Sequence, residues 1–283
     1  MSSCSSTKTI EKTENGEQIA NKEVVFTEKR PVVSKDGKIT EYKFILKNKV
    51  VATETLNEKG EVVSVKGEIP NGLIKQYSVD DKLMFENNYN NGKLEGVIKT
   101  YFPDGKTVST VKNYKNGVLE GKCFVYYENG HKKSESNYKN GILNGTVKKY
   151  SMAETLLSSK QYSNGKLEGL CKEFFVTGKP KKETEYYNGL KEGYSKEYYS
   201  NGTLKHEYNY SQDKLEGDSK IYYEDGSIQT IEKYKDNKLN GDTLIYSNNN
   251  SEVPLYVDTY VNGKKVSRRA FSGTGKQIFK INY

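Results

Sequence analysis

From Gly72 to the last residue, the chain alternates short runs of β-branched and aromatic residues with polar, glycine-containing breaks. Runs such as "KCFVYY", "KIYYE" and "DTLIY" are about five residues long, too short and too turn-bounded for helices, and they predict strands. The breaks are of two kinds. One is an Asn-Gly column at Gly92, Gly117, Gly141, Gly165, Gly189 and Gly263, and the other is "PDG", "ENG", "VTG", "SNG" and "EDG" at Gly105, Gly130, Gly178, Gly202 and Gly226. Glycine admits a positive φ with no Cβ clash, and Asn-Gly is the strongest short hairpin signal. Where glycine is replaced, Asp213 and Asn237 stand in the first column and Asp81 and Asn250 in the second, residues that tolerate the same left-handed backbone. Glu154 is the exception, and a differently shaped turn is expected there.

The breaks keep a fixed period. An inner glycine recurs at Gly72, Gly96, Gly121, Gly145, Gly169, Gly193, Gly217 and Gly241, at intervals of 24, 25, 24, 24, 24, 24 and 24. Five residues after each stands an aromatic: Tyr77, Tyr101, Tyr126, Tyr150, Phe174, Tyr198, Tyr222 and Tyr246. A second aromatic column closes each unit at Tyr89, Tyr114, Tyr138, Tyr162, Tyr186, Tyr210, Tyr234, Tyr260 and Tyr283. The two columns hold sixteen of the 24 tyrosines, so packing between successive units explains them more economically than chemistry does.

Each 24-residue unit thus predicts one antiparallel hairpin, which cannot bury a face alone. Nine stacked units predict an all-β fold, an elongated single-layer antiparallel sheet of stacked β-hairpin repeats, on the order of 85 Å long at about 4.8 Å per strand. Residues 65–283 form this array. Residues 15–64 contain "EVVFTEKRPVVS" and "KITEYKFILKNKVVATETL", broken by "KDGK" and "NEKGE", and read as a degenerate hairpin cap over the sheet edge. Residues 1–14 read as a flexible polar tail.

Composition fits a thin structure. A hydrophobic fraction of 34% and a mean hydropathy of -0.86 argue against a thick core, and 24 tyrosines against no tryptophan supply rings that stay half wet. Regular spacing argues against disorder. The net charge of +8 would help the chain meet acidic surfaces, but 45 basic and 37 acidic residues are interspersed, as on a solvated mixed surface. Three cysteines give neither a disulfide framework nor a metal-ligand spacing, and no cofactor motif is present. No run of 18 apolar residues spans a membrane. The start "MSSCSSTKTIEKTENG" is similar to the junction of a bacterial lipoprotein whose apolar signal segment is missing, with Cys4 as the lipidated residue. The plainer reading is a Ser-rich end of a cytosolic protein, so cell envelope and cytoplasm both stay open.

Units such as "YYENGHKKSESNYKNGILNG" resemble the MORN-repeat variant of bacterial proteins, including the set labelled YwqK-type antitoxins. The resemblance covers about Val65 to Tyr283 and rests on many copies of one motif. It implies a twisted sheet of stacked hairpins used for protein association, sometimes for membrane contact, and its antitoxin label implies a partner toxin. It brings no catalytic motif. The usual unit often carries Trp beside the glycine, whereas tyrosine takes those positions here.

No convergent catalytic set emerges from the residues themselves. His131 and His206 lie about three units apart, some 30 Å by strand spacing, and Cys123 and Cys171 occupy equivalent positions as small buried hydrophobes. Two charge columns stand out: Lys99, Lys148, Lys172, Lys196 and Lys220 three residues after the inner glycine, and Glu95, Glu120, Glu168, Glu192 and Glu216 one residue before it. The lysines form either a basic stripe for an acidic partner or a solubility ladder offset by the glutamates. Phe102, Tyr127, Phe175, Tyr199 and Tyr223 follow the first aromatic column and, by strand alternation, face away from it as anchors or stiffeners. The function expected is a non-enzymatic, monomeric scaffold that binds another protein, possessing antitoxin-like recognition in its finer form. The alternative is an envelope-anchored lipoprotein contacting membrane or host-surface components. An acidic surface ranks behind these, and nucleic acid last.

Overall fold

The computed structural model describes residues 25–248 and 252–283. Cys4, the residues up to 24, and Asn250 lie outside the described residues. Every regular element described is a strand. The strands group into two units, residues 25–120 with 128–130, and residues 121–127 with 131–283.

In the first unit, Thr27–Val33, Ile39–Leu46, Lys49–Leu56 and Val62–Gly67 form an antiparallel meander. Its first strand then runs parallel to Gly72–Tyr77, with Thr27 opposite Ile74 and Lys29 opposite Gln76. Sequence pattern gave no sign of this parallel pair, because hairpin signals report only neighbours along the chain. Phe44, Ala52 and Ile74 are buried at this junction, with Val51, Ile69 and Tyr89 packed on them. Lys29 meets the buried Glu54 at 2.7 Å, so the one deeply placed carboxylate here has a cation beside it. Repeats follow, as Gly72–Tyr77 paired with Leu83–Asn90 and Gly96–Tyr101 paired with Val108–Lys115.

The second unit repeats the same hairpin. A six-residue strand such as Gly121–Tyr126 pairs with an eight-residue strand such as Lys132–Lys139, placing Gly121 opposite Tyr138 and Cys123 opposite Ser136. The Asn-Gly reversals have both central residues at positive φ, as in Asn116 (52°) and Gly117 (81°), which is the type I′ geometry that matches strand twist. Gln212 and Asp213, at 50° and 66°, and Asp236 and Asn237, at 49° and 63°, adopt the same turn without glycine. The Glu154 turn corrects the expectation of a different shape. Glu154 takes φ 62°, and its amide donates to Ser151 O at 3.0 Å, as Gly105 donates to Phe102 O at 2.9 Å. Ser151 Oγ accepts from the amides of Ala153 and Thr155, holding the unfavourable residue in the shared turn.

A single layer has little interior, and most of its buried positions are accordingly small. Cys123, Cys171, Ser195, Ser219 and Thr243, each two residues after an inner glycine, are buried. Ser195 lies opposite Tyr208, and its hydroxyl bonds that of Thr184 at 2.8 Å, so large side chains on neighbouring strands cover small ones. Burial of the two thiols agrees with their reading as small hydrophobes.

Candidate functional site

Register brings the lysine column against a second set of glutamates that the sequence pattern did not single out. In the first unit Glu86 lies opposite both Lys75 and Lys99, and its carboxylate sits 3.4 Å from Lys75 Nζ and 3.3 Å from Lys99 Nζ. In the second unit Glu135 meets Lys148 at 3.5 Å and Lys132 at 2.9 Å, Glu183 meets Lys172 at 3.0 Å, and Glu207 meets Lys196 at 3.3 Å. Lys220 stands opposite Glu207 on the next strand. From Lys172 to Lys220 the lysines therefore alternate with glutamates across the strands, while Val111 beside Lys99 and Ile231 beside Lys220 carry no charge. A purely basic stripe is not what the geometry presents.

The first tyrosine column completes each pair. Tyr150 OH donates to Glu135 at 3.1 Å, Tyr198 OH to Glu183 at 3.3 Å and Tyr222 OH to Glu207 at 3.3 Å, always to a carboxylate fifteen residues earlier on the adjacent strand. Burial opposes the charge on Glu86, yet the Tyr101 hydroxyl together with Lys99 and Lys75 holds its carboxyl below the usual range. For Glu135 the same opposition is overcome by Lys132 and Tyr150. The tyrosines respond in the opposite sense, burial first and the neighbouring carboxylate next, so Tyr198 is pushed up to about 12.

Three positions of the row lack the glutamate: Val111 opposite Lys99, Ile231 opposite Lys220, and Ser159. Ser159 stands where the glutamate would be, opposite Lys148 on one side and Lys172 on the other. The residue fifteen further on is Phe174, so carboxylate and phenol are replaced together. On the other side of Lys148 from Ser159, around Glu135, a shallow hollow of about 290 Å³ is lined by Lys122, Phe124, Glu135, Asn137, Thr146 and Lys148.

The glutamate column before the inner glycine works on the turns instead. Glu95 accepts from the amide of Asn116 at 2.7 Å, Glu168 from Asn188 at 2.9 Å, Glu192 from Gln212 at 2.8 Å and Glu216 from Asp236 at 3.0 Å. Each caps the first left-handed residue of the next hairpin's turn, while Asn71 and Asn240 do the same with Oδ1. This column is consumed in holding one turn to the next.

Phe102, Tyr127, Phe175, Tyr199 and Tyr223 are half-buried. The preceding strands end at Tyr101, Tyr126, Phe174, Tyr198 and Tyr222, so strand alternation does not govern these rings. Tyr127 OH donates to Tyr150 O at 2.8 Å, Tyr199 OH to Tyr222 O at 2.9 Å and Tyr223 OH to Tyr246 O at 3.0 Å. They tie each hairpin to the next, and Lys133 and Lys205 lie over two of the rings. His131 Nδ1 is 2.9 Å from Met152 O, whereas His206 Nδ1 is 3.4 Å from Glu197. Among the described residues no group of three or more His, Cys, Asp and Glu is placed to hold a metal ion.

Four stretches, residues 94–116, 119–140, 191–212 and 215–236, match the MORN repeat variant. No curated protein matches the chain. A solved structure described as "Crystal Structure of TcdB2-TccC3-Cdc42" is 12% identical over 88% of this chain, with a TM-score of 0.19. The chain spans 15% of the length of that matched chain. These four stretches, each spanning strands of the repeating hairpins, are what the chain shares with the MORN repeat variant.

Proposed function

We propose that the chain is a non-enzymatic scaffold that binds another protein through the lysine-bearing row of its repeats. The observation that supports this reading is the row itself: Lys148, Lys172, Lys196 and Lys220 recur at a two-strand interval on rigid hairpins, with side chains of the first two 40% and 42% exposed despite their ion pairs. Such a row offers charge at fixed spacing at little cost in ordering, which favours recognition of a partner over chemistry on a small molecule. In the first unit, Lys99 offers the same contact. The rings of Phe102, Tyr127, Phe175, Tyr199 and Tyr223 present only their solvent-facing edges beside the turns, and serve mainly to stiffen the frame. Antitoxin-like binding of a single small protein is the finer form of this reading.

The test is affinity capture from native cells, repeated with purified components. The wild-type chain is expected to retain one partner stoichiometrically, and the triple variant Lys172→Glu, Lys196→Glu, Lys220→Glu to lose it while keeping its β circular dichroism spectrum. Retention of the partner by the folded triple variant would refute the lysine row as the binding surface.

A further inference from the structure

The interruption at Ser159, which lies between two lysines, points to the chemistry of the partner. At Glu86, Glu135, Glu183 and Glu207 the carboxylate is held by one or two lysines and a tyrosine hydroxyl. At Ser159 both flanking lysines remain, about 10 Å apart by strand spacing, but the side chain between them is a short hydroxymethyl. Lys148 and Lys172 each keep an acid on their far side only, Glu135 and Glu183 respectively, and both side chains stay substantially exposed. The potential between them is positive over one carboxylate's width and turns negative on either side.

That alternation selects among anions. A densely charged polyanion such as a nucleic acid would set phosphates against Glu135 and Glu183 as well as between the lysines. An acidic side chain on a protein brings one carboxylate, and its neighbours need not be charged. The hollow on the far side of Lys148, where Phe124 stands opposite Glu135, suits an apolar residue of the same segment further along from that acid. Phe174, lacking the hydroxyl of its equivalents, adds a second apolar surface at the same rung.

We propose that Lys148, Ser159 and Lys172 form the docking point for an acidic-apolar segment of the partner protein, whose Asp or Glu carboxylate takes the place that Glu135 and Glu183 fill in the neighbouring repeats. This rests on the scaffold reading and gives it a position and a partner chemistry. Ser159→Glu supplies the carboxylate from within, so it blocks the point without removing a positive charge. Ser159→Ala leaves it open.

The experiment uses the full chain and three probes by fluorescence anisotropy: a labelled peptide of alternating Glu and Leu, the same peptide with Gln for Glu, and a single-stranded oligonucleotide of similar length. The Glu-Leu peptide is expected to bind the wild type and Ser159→Ala alike, and to bind Ser159→Glu and Lys172→Gln at least about tenfold more weakly. Equal binding to Ser159→Glu and wild type would overturn the proposal, as would a Gln peptide or oligonucleotide that binds as tightly as the Glu-Leu peptide. Thermal midpoints of the variants exclude unfolding as the cause. Failure here with continued loss of the captured partner in the Lys172, Lys196, Lys220 triple variant would leave the scaffold reading standing and remove only this docking point.

Discussion

If the glutamate, its lysines and its tyrosine act as one unit, the missing unit can be built between the Gly145 and Gly169 repeats by two substitutions, Ser159→Glu and Phe174→Tyr. The new carboxylate would stand opposite Lys148 and Lys172, as Glu86 stands opposite Lys75 and Lys99. Both lysines are about two-fifths exposed, so each new ion pair is worth only about 0.2–0.5 kcal/mol after solvent screening. Ser159→Glu alone should therefore stabilise by roughly 0.5–1 kcal/mol, the added strand propensity being nearly neutral. Phe174→Tyr alone places a hydroxyl beside Ser159 with no carboxylate to receive it, and should change stability by less than about 0.5 kcal/mol. Together the substitutions add a hydroxyl-to-carboxylate bond on a half-buried surface, a coupling of about 0.5–1 kcal/mol. Urea unfolding of the four proteins, followed by far-ultraviolet circular dichroism, measures that coupling. Additivity of the two changes to within about 0.3 kcal/mol would refute the claim that tyrosine and glutamate fifteen residues apart form one structural pair.

Glu154→Gly should stabilise by about 0.5–1 kcal/mol in the same assay, because a non-glycine residue at φ 62° pays a left-handed penalty that glycine's greater unfolded freedom only partly offsets. Raised tyrosines give an alkaline limit: Tyr198 and Tyr208 sit near 12 in the fold against about 10 unfolded, so their contribution is complete below pH ~10 and is lost as pH rises through about 12. Tyrosinate absorbance and circular dichroism should change together in that interval. Lowered carboxyls act in reverse, so the contributions of Glu86 and Glu135 hold above their unfolded range of about 4.3 and fade as pH falls through their depressed folded values. Asp258→Asn should cost about 1–3 kcal/mol in thermal unfolding, since the buried carboxylate receives Arg268 at 2.6 and 2.7 Å and Lys265 at 2.7 Å.

The hairpins were legible because their signals are local. Asn-Gly at a two-residue reversal and an aromatic five residues after a glycine need no knowledge of neighbours to be read. What escaped is relational. The Glu86, Glu135, Glu183 and Glu207 set becomes visible only when register aligns each with a lysine on the next strand; the joint change to Ser159 and Phe174 hints at it, but Tyr126 and Tyr246 are kept fifteen residues after Val111 and Ile231. Strand alternation gives the rings at Tyr127, Tyr199 and Tyr223 an outward face only when carried one residue past the strand end, where a turn begins. The parallel pairing of Thr27–Val33 with Gly72–Tyr77 joins segments separated by three strands, beyond the reach of any periodic signal.

Amide hydrogen exchange of the purified chain, alone and with its captured partner, tests the central claim most directly. The account predicts added protection centred on Gly145–Tyr150, Leu156–Ser163 and Gly169–Phe174, the strands that carry Lys148, Ser159 and Lys172. Protection confined to Thr27–Val33 through Val62–Gly67, with those three strands unchanged, would contradict it.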